Sequence, residues 1–145
     1  TAPGGPEPPA RPGPDLGDLR AGGDPKPAPS VSAALKRGRK ALAKSAFEGA
    51  EAAARRAVAG APSDPRPWTL LAEIALAREL PLLAMGRARW SLGCSPTPLA
   101  WAIVGEAAYA EGDLDTASAA CKAGMRLKPE AAVKKRLERL KEEVE

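Results

Sequence analysis

Residues 98–129 read PLAWAIVGEAAYAEGDLDTASAACKAGMRLKP, and this stretch decides the fold. It opens on Pro98, a residue suited to the first turn of a helix, where its missing N–H has no partner to lose. Alanine, the best helix former, then dominates up to Ala110. The run breaks at Gly112-Asp113. Gly112 takes a left-handed turn without a Cβ penalty, and Asp113 offers a carboxylate to cap a second helix. That helix runs over 114–127 and stops before Pro129. Two helices on so short a turn fold back as a hairpin. Trp101 supplies one large anchor, burying on the order of 150–250 Å². Gly105, Ala117 and Gly124 supply places where two backbones approach.

The same pattern recurs upstream. Pro62, Pro96 and Pro129 are spaced 34 and 33, and Trp68 and Trp101 are 33 apart. Small residues keep step: Gly38, Ala72 and Gly105; Ala50, Ala84 and Ala117; Ala57, Ser91 and Gly124. A period of 33 to 34 with two helices per unit is the mark of stacked helical hairpins. The spacing predicts seven helices, over 31–44, 47–60, 66–78, 81–93, 98–110, 114–127 and 130–144, with units at about 31–64, 65–97 and 98–131. β-branched residues are sparse, which disfavours strands. The fold class expected is all-α. The first unit is degenerate: Ala34 stands where its tryptophan would be. In the second, Glu79-Leu80-Pro81 replaces the Gly-Asp turn. The last helix carries Val133, Leu137, Leu140 and Val144 in one narrow stripe among charges. That suits a cap with one polar face, which a solenoid needs at its end. A partner-helix seam is the alternative, although two heptads are short for one.

The 145 residues divide sharply by composition. Residues 1–30 hold nine prolines and six glycines, with only Leu16 and Leu19 sizeable and apolar. Such a segment cannot offset backbone entropy of roughly 1–2 kcal/mol per residue, so a disordered, semi-extended linker is expected. Pro6, Pro9 and Pro12 have PxxP spacing with Arg11 nearby, a weak docking signal. Residues 31–145 carry nineteen bases and fourteen acids. The Ala/Arg/Pro/Gly bias points to a high-GC bacterial genome.

There is no histidine, which excludes Ser-His-Asp and Cys-His catalysis and His-ligated metals. Two cysteines cannot make a four-cysteine zinc site, and Cys94 and Cys121 read as small buried hydrophobes. No apolar run approaches about 18 residues, so no membrane-spanning helix is expected. No nucleophile–base pair, phosphate loop or metal set is present, and the chain is expected to be no enzyme and to need no cofactor or metal. A cytoplasmic location is expected.

With Trp101, Val104, Gly105, Tyr109, Gly112-Asp113, Ala117 and Pro129 in one unit, the chain resembles the tetratricopeptide repeat family. The second unit keeps Trp68, Leu71, Ala72, Ala84 and Pro96, and the resemblance spans about 100 residues. It implies an α-solenoid of three hairpins and a cap, acting as a scaffold or adaptor for another protein. It further implies a concave surface built by the first helix of each hairpin. Carried over by position, that surface includes Leu35, Arg39, Leu42, Arg66, Thr69, Glu73, Leu76, Leu99, Ala102, Glu106 and Tyr109. Some members grip a C-terminal carboxylate with lysine and asparagine. Here the corresponding residues are Leu35, Arg39, Leu70, Leu99 and Ile103, and the chain has no asparagine, so that clamp is absent. A peptide or a helical segment of a partner protein is the expected ligand, not a small molecule.

Two other readings stay open. A basic cluster, Lys36, Arg37, Arg39, Lys40 and Lys44, offers contact to an acidic surface or to nucleic acid. No aromatic residues interleave with it, which disfavours single-strand stacking and makes nucleic acid the less expected partner. The degenerate first unit also fits a structural subunit that stacks against another protein.

Overall fold

The computed structural model describes residues 30–145, and these are all helix and connection. Seven helices follow one another: α1 Val31–Ala43, α2 Phe47–Gly60, α3 Pro65–Ala77, α4 Pro81–Cys94, α5 Pro98–Ala110, α6 Leu114–Arg126 and α7 Ala131–Val144. All seven expected helices are present, with boundaries shifted by at most one residue. The expectation of a linker over 1–30 lies outside the described residues, except for Ser30. That residue belongs to the domain: its hydroxyl accepts the Ala33 N–H at 3.0 Å and caps α1.

The helices pair as antiparallel hairpins, α1 with α2, α3 with α4 and α5 with α6, and α7 packs on both α5 and α6. The turn of each hairpin has one residue at positive φ, at the same step of the repeat: Ser45 (φ 60), Glu79 (φ 63) and Gly112 (φ 83). Only the third uses glycine. Asp113 caps α6 by accepting the Thr116 N–H at 3.1 Å, and Thr97 and Asp64 cap α5 and α3. Pro65, Pro81 and Pro98 each sit in a first turn.

Alanine sets the packing distance. Ala50, Ala54, Ala72, Ala75, Ala84, Ala88, Ala107 and Ala117 are completely buried. At Gly38 an added Cβ would lie 2.7 Å from Leu70 Cδ2, and at Gly105 2.6 Å from Leu140 Cδ2. A methyl group at either position would require the facing leucine to shift. Trp68 is buried and stacks on Trp90, with ring centroids 4.8 Å apart and planes 12° from parallel. Beside this pair, the buried hydroxyls of Thr69 and Ser91 meet at 2.6 Å, and both lie within hydrogen-bond distance of the Pro65 carbonyl. Cys94 and Cys121 are free thiols. Burial raises the pKa of both thiols.

Candidate functional site

The first helices α1, α3 and α5 lie side by side and form one face of the stack, and α7 continues that row against α5. On this face Arg39, Leu42, Arg66, Thr69, Glu73 and Leu99 converge, with Leu70 and Thr97, around a concavity of about 220 Å³. Its apolar side is Leu42, Leu70 and Leu99. Its rim carries Arg39, Arg66 and Glu73.

The other expected residues divide. Leu35, 1% exposed, points into the core shared by the first two hairpins. Ala102, 0% exposed, lies beneath Val133 and Leu137 of α7. Neither can touch a ligand. Each position was carried over by register, and the true rotation of α1 and the arrival of α7 put them inside. Thr69 lines the concavity, but its hydroxyl is held by Ser91 and Pro65. Leu76 is half-buried against the second core, and Tyr109 stays exposed near the end of α5.

Glu73 and Glu106 do share a surface, and a third residue holds them. Arg136 of α7 reaches between them: its Nη1 donates to Glu73 Oε2 at 2.8 Å, its Nε to Glu106 Oε2 at 3.0 Å and its Nη2 to Glu106 Oε1 at 2.5 Å. Burial works against the guanidinium charge, but hydrogen bonds to Glu106 and Glu73 outweigh it and raise the Arg136 pKa above its ordinary range. Three charges from α3, α5 and α7 therefore satisfy one another. Arg66 is engaged likewise. It hydrogen-bonds Asp64 through Nη2 at 2.6 Å and Nε at 3.0 Å, which pulls the Asp64 pKa down. Among the charged groups lining the concavity, Arg39 is the one without a hydrogen bond or ion pair to a described residue.

Among the described residues, no three His, Cys, Asp or Glu side chains come together to hold a metal. Nor, among them, is any helix long and apolar enough to cross a membrane. A second concavity of about 460 Å³ lies between α6 and α7, lined by Cys121, Met125, Leu137 and Val144 with Lys122 and Lys141. None of the expected groove residues borders it.

Sequence reasoning missed Arg136 and Trp90. Trp90 follows Trp68 by the same 22 residues that separate Ser91 from Thr69, so the pairing across a hairpin left a trace in the spacing. Arg136 left none, since its partners are 30 and 63 residues away.

No protein-family model matches the chain, and no curated protein sequence does so either. Solved structures do. The tetratricopeptide-repeat domain of Sgt2 from Aspergillus fumigatus superposes with a TM-score of 0.71 at 23% identity, over 81% of each chain. The first such domain of Spaghetti (RPAP3), solved bound to the HSP90 peptide SRMEEVD, gives 0.69 at 14% identity, over 81% of this chain and 95% of that one. Three antiparallel hairpins in register, closed by a seventh helix, together with these superpositions, identify the fold of this chain as that of the tetratricopeptide repeat.

Proposed function

We propose that residues 31–145 form a non-enzymatic binding module that takes a peptide or helical segment of another protein along the concave face. The observation that carries this reading is the concavity beside Arg39. It has an apolar wall of Leu42, Leu70 and Leu99 and, at its edge, one cation that no described residue engages. A small apolar side chain fits such a depression, and an acidic neighbour on the same peptide meets Arg39. The similar domain of Spaghetti, solved with a peptide, supports the class of ligand. In this reading the module is a scaffold or adaptor region of a larger bacterial protein, joined by the proline-rich segment 1–30. Two free thiols suit a reducing compartment such as the cytoplasm.

The test is selection of peptides from a displayed random library on the full chain. Enriched peptides should pair an apolar residue with an acid. They should lose at least tenfold in affinity with Arg39→Glu or Leu42→Asp and hold it with Lys134→Glu, an exposed change on α7. Retention of full affinity by both groove variants would remove the groove from the reading.

A further inference from the structure

The positive charge of the domain is concentrated at one end. Residues 31–60 hold seven Lys/Arg against two Asp/Glu, while residues 61–145 hold twelve of each. The whole excess of +5 therefore belongs to the first hairpin. Five of those cations, Lys36, Arg37, Arg39, Lys40 and Lys44, stand on α1 and its C-cap, and α1 contains no acid. All five are exposed, and none makes a hydrogen bond or ion pair with a described residue. The other exposed positions of α1 are Ser32, Ala33 and Ala43. At 100° per residue these eight positions cover one arc of about 160°, opposite the buried Ala34, Leu35 and Gly38.

Arg39 lies at the groove edge of that arc. Lys36, Lys40, Lys44 and Arg37 lie on the other side of it, away from Leu42 and the concavity. Lys36, Lys40 and Lys44 form an inclined row with a rise of about 6 Å and a turn of about 40° per step. α1 is the first helix of the stack, so in a longer solenoid this face would meet a preceding unit. Its surface is cationic, where the buried contacts between the described repeats are mostly apolar. Small residues between the cations let another backbone come close.

We infer that this outer face of α1 docks an acidic helix of a partner protein, whose carboxylates recur every fourth residue and pair with Lys36, Lys40 and Lys44. Two other polyanions fit the face less well. A bilayer is flat, whereas the cations wrap through about 160°, and no large apolar side chain is present on the arc to insert. A nucleic acid would find no aromatic ring to stack on. The docking is separate from the groove and does not depend on the groove reading.

Fluorescence anisotropy of the full chain with a synthetic helical peptide carrying glutamate at every fourth position tests the inference. A second peptide of identical composition has its glutamates in one block. Three lost pairs of exposed charges predict that Lys36→Gln/Lys40→Gln/Lys44→Gln weakens the spaced peptide on the order of tenfold. Glutamine keeps the helix propensity, and an unchanged circular-dichroism spectrum verifies the fold. The spaced peptide should bind more tightly than the blocked one, and Leu42→Ala should leave its affinity within twofold. The inference is overturned if the triple variant binds within twofold of the parent or if the two peptides bind alike. It is equally overturned if Leu42→Ala abolishes binding, or if duplex DNA or phosphatidylserine vesicles bind more tightly than the spaced peptide.

Discussion

Replacing Arg136 by methionine tests what holds the last helix in place. Methionine keeps most of the length and the apolar stem of arginine but removes the guanidinium. The parent side chain makes four charge-assisted hydrogen bonds, two to Glu73 and two to Glu106. Side-chain exposures of 29% for Arg136, 25% for Glu73 and 26% for Glu106 put this cluster between two regimes. Exposed pairs are worth about 0–1 kcal/mol, and breaking a fully buried pair costs about 3–5 kcal/mol. The expected loss is about 2 kcal/mol, since the variant also leaves two carboxylates facing each other across α3 and α5. For a domain of this size that lowers Tm by about 8 °C. Urea unfolding followed by tryptophan fluorescence measures it, with the m-value expected to stay constant. The companion variant Glu73→Gln/Glu106→Gln/Arg136→Met removes all three charges together. Removing both sides of an interaction costs less than orphaning one side, so it should recover about half of the loss. A single variant within about 0.5 kcal/mol of the parent, or a triple variant no better than the single one, would refute the reasoning.

Three further outcomes rest on local geometry. Glu79 occupies a left-handed position that Gly112 occupies in the next hairpin, so Glu79→Gly should stabilise the domain by about 0.5–1 kcal/mol in the same urea titration. Ser91→Ala removes a buried hydroxyl shared by Thr69 and the Pro65 carbonyl, and should cost about 1–2 kcal/mol without moving the α-helical circular-dichroism signal. The Asp64 carboxylate is held below its usual range by its hydrogen bonds from Arg66. A depressed folded pKa means stability that is complete above the unfolded value near pH 4 and is lost as pH falls through the folded value. Asp64→Asn should therefore flatten the acid limb of a pH–stability curve below about pH 4 and lower the plateau above it.

How much of the structure was legible in the sequence depends on the distance over which each feature is decided. The hairpins were legible because a period of 33 to 34 repeats the same local instructions: proline at a helix start, a small residue at the contact, a breaker at the turn. Gly112 and Asp113 state the third turn outright. Ser45 and Glu79 take the same left-handed conformation without glycine, and only the repeat register points to them. Ser30 was hidden by its neighbours, since a cap one residue past a proline-rich run reads as part of that run. Arg39, Leu42 and Leu99, whose side of the helix is fixed by the repeat, do line a concavity on the face of the first helices. Leu35 and Ala102 are buried instead: a rotation of about one residue, roughly 100°, turns Leu35 into the core, and α7 covers Ala102.

Arg136 marks the limit of that legibility. Seen in sequence, it is one of three successive bases on a capping helix, and Glu73 and Glu106 are polar positions repeated at the same step. Nothing local joins them. In the folded chain α7 packs beside α5, and its arginine fills the space between two carboxylates that would otherwise repel each other. Both acids of α3 and α5 are hydrogen-bonded to that one guanidinium, which offsets one of their two negative charges, and Arg66 is tied to Asp64. Among the described residues, Arg39 has no ion-pair partner at the rim, and Lys36, Arg37 and Lys40 of α1 and its C-cap Lys44 lie on the side away from the concavity. A capping helix in this chain thus does more than cover the end of the core: its one guanidinium ties together acids that the first helices of two hairpins carry.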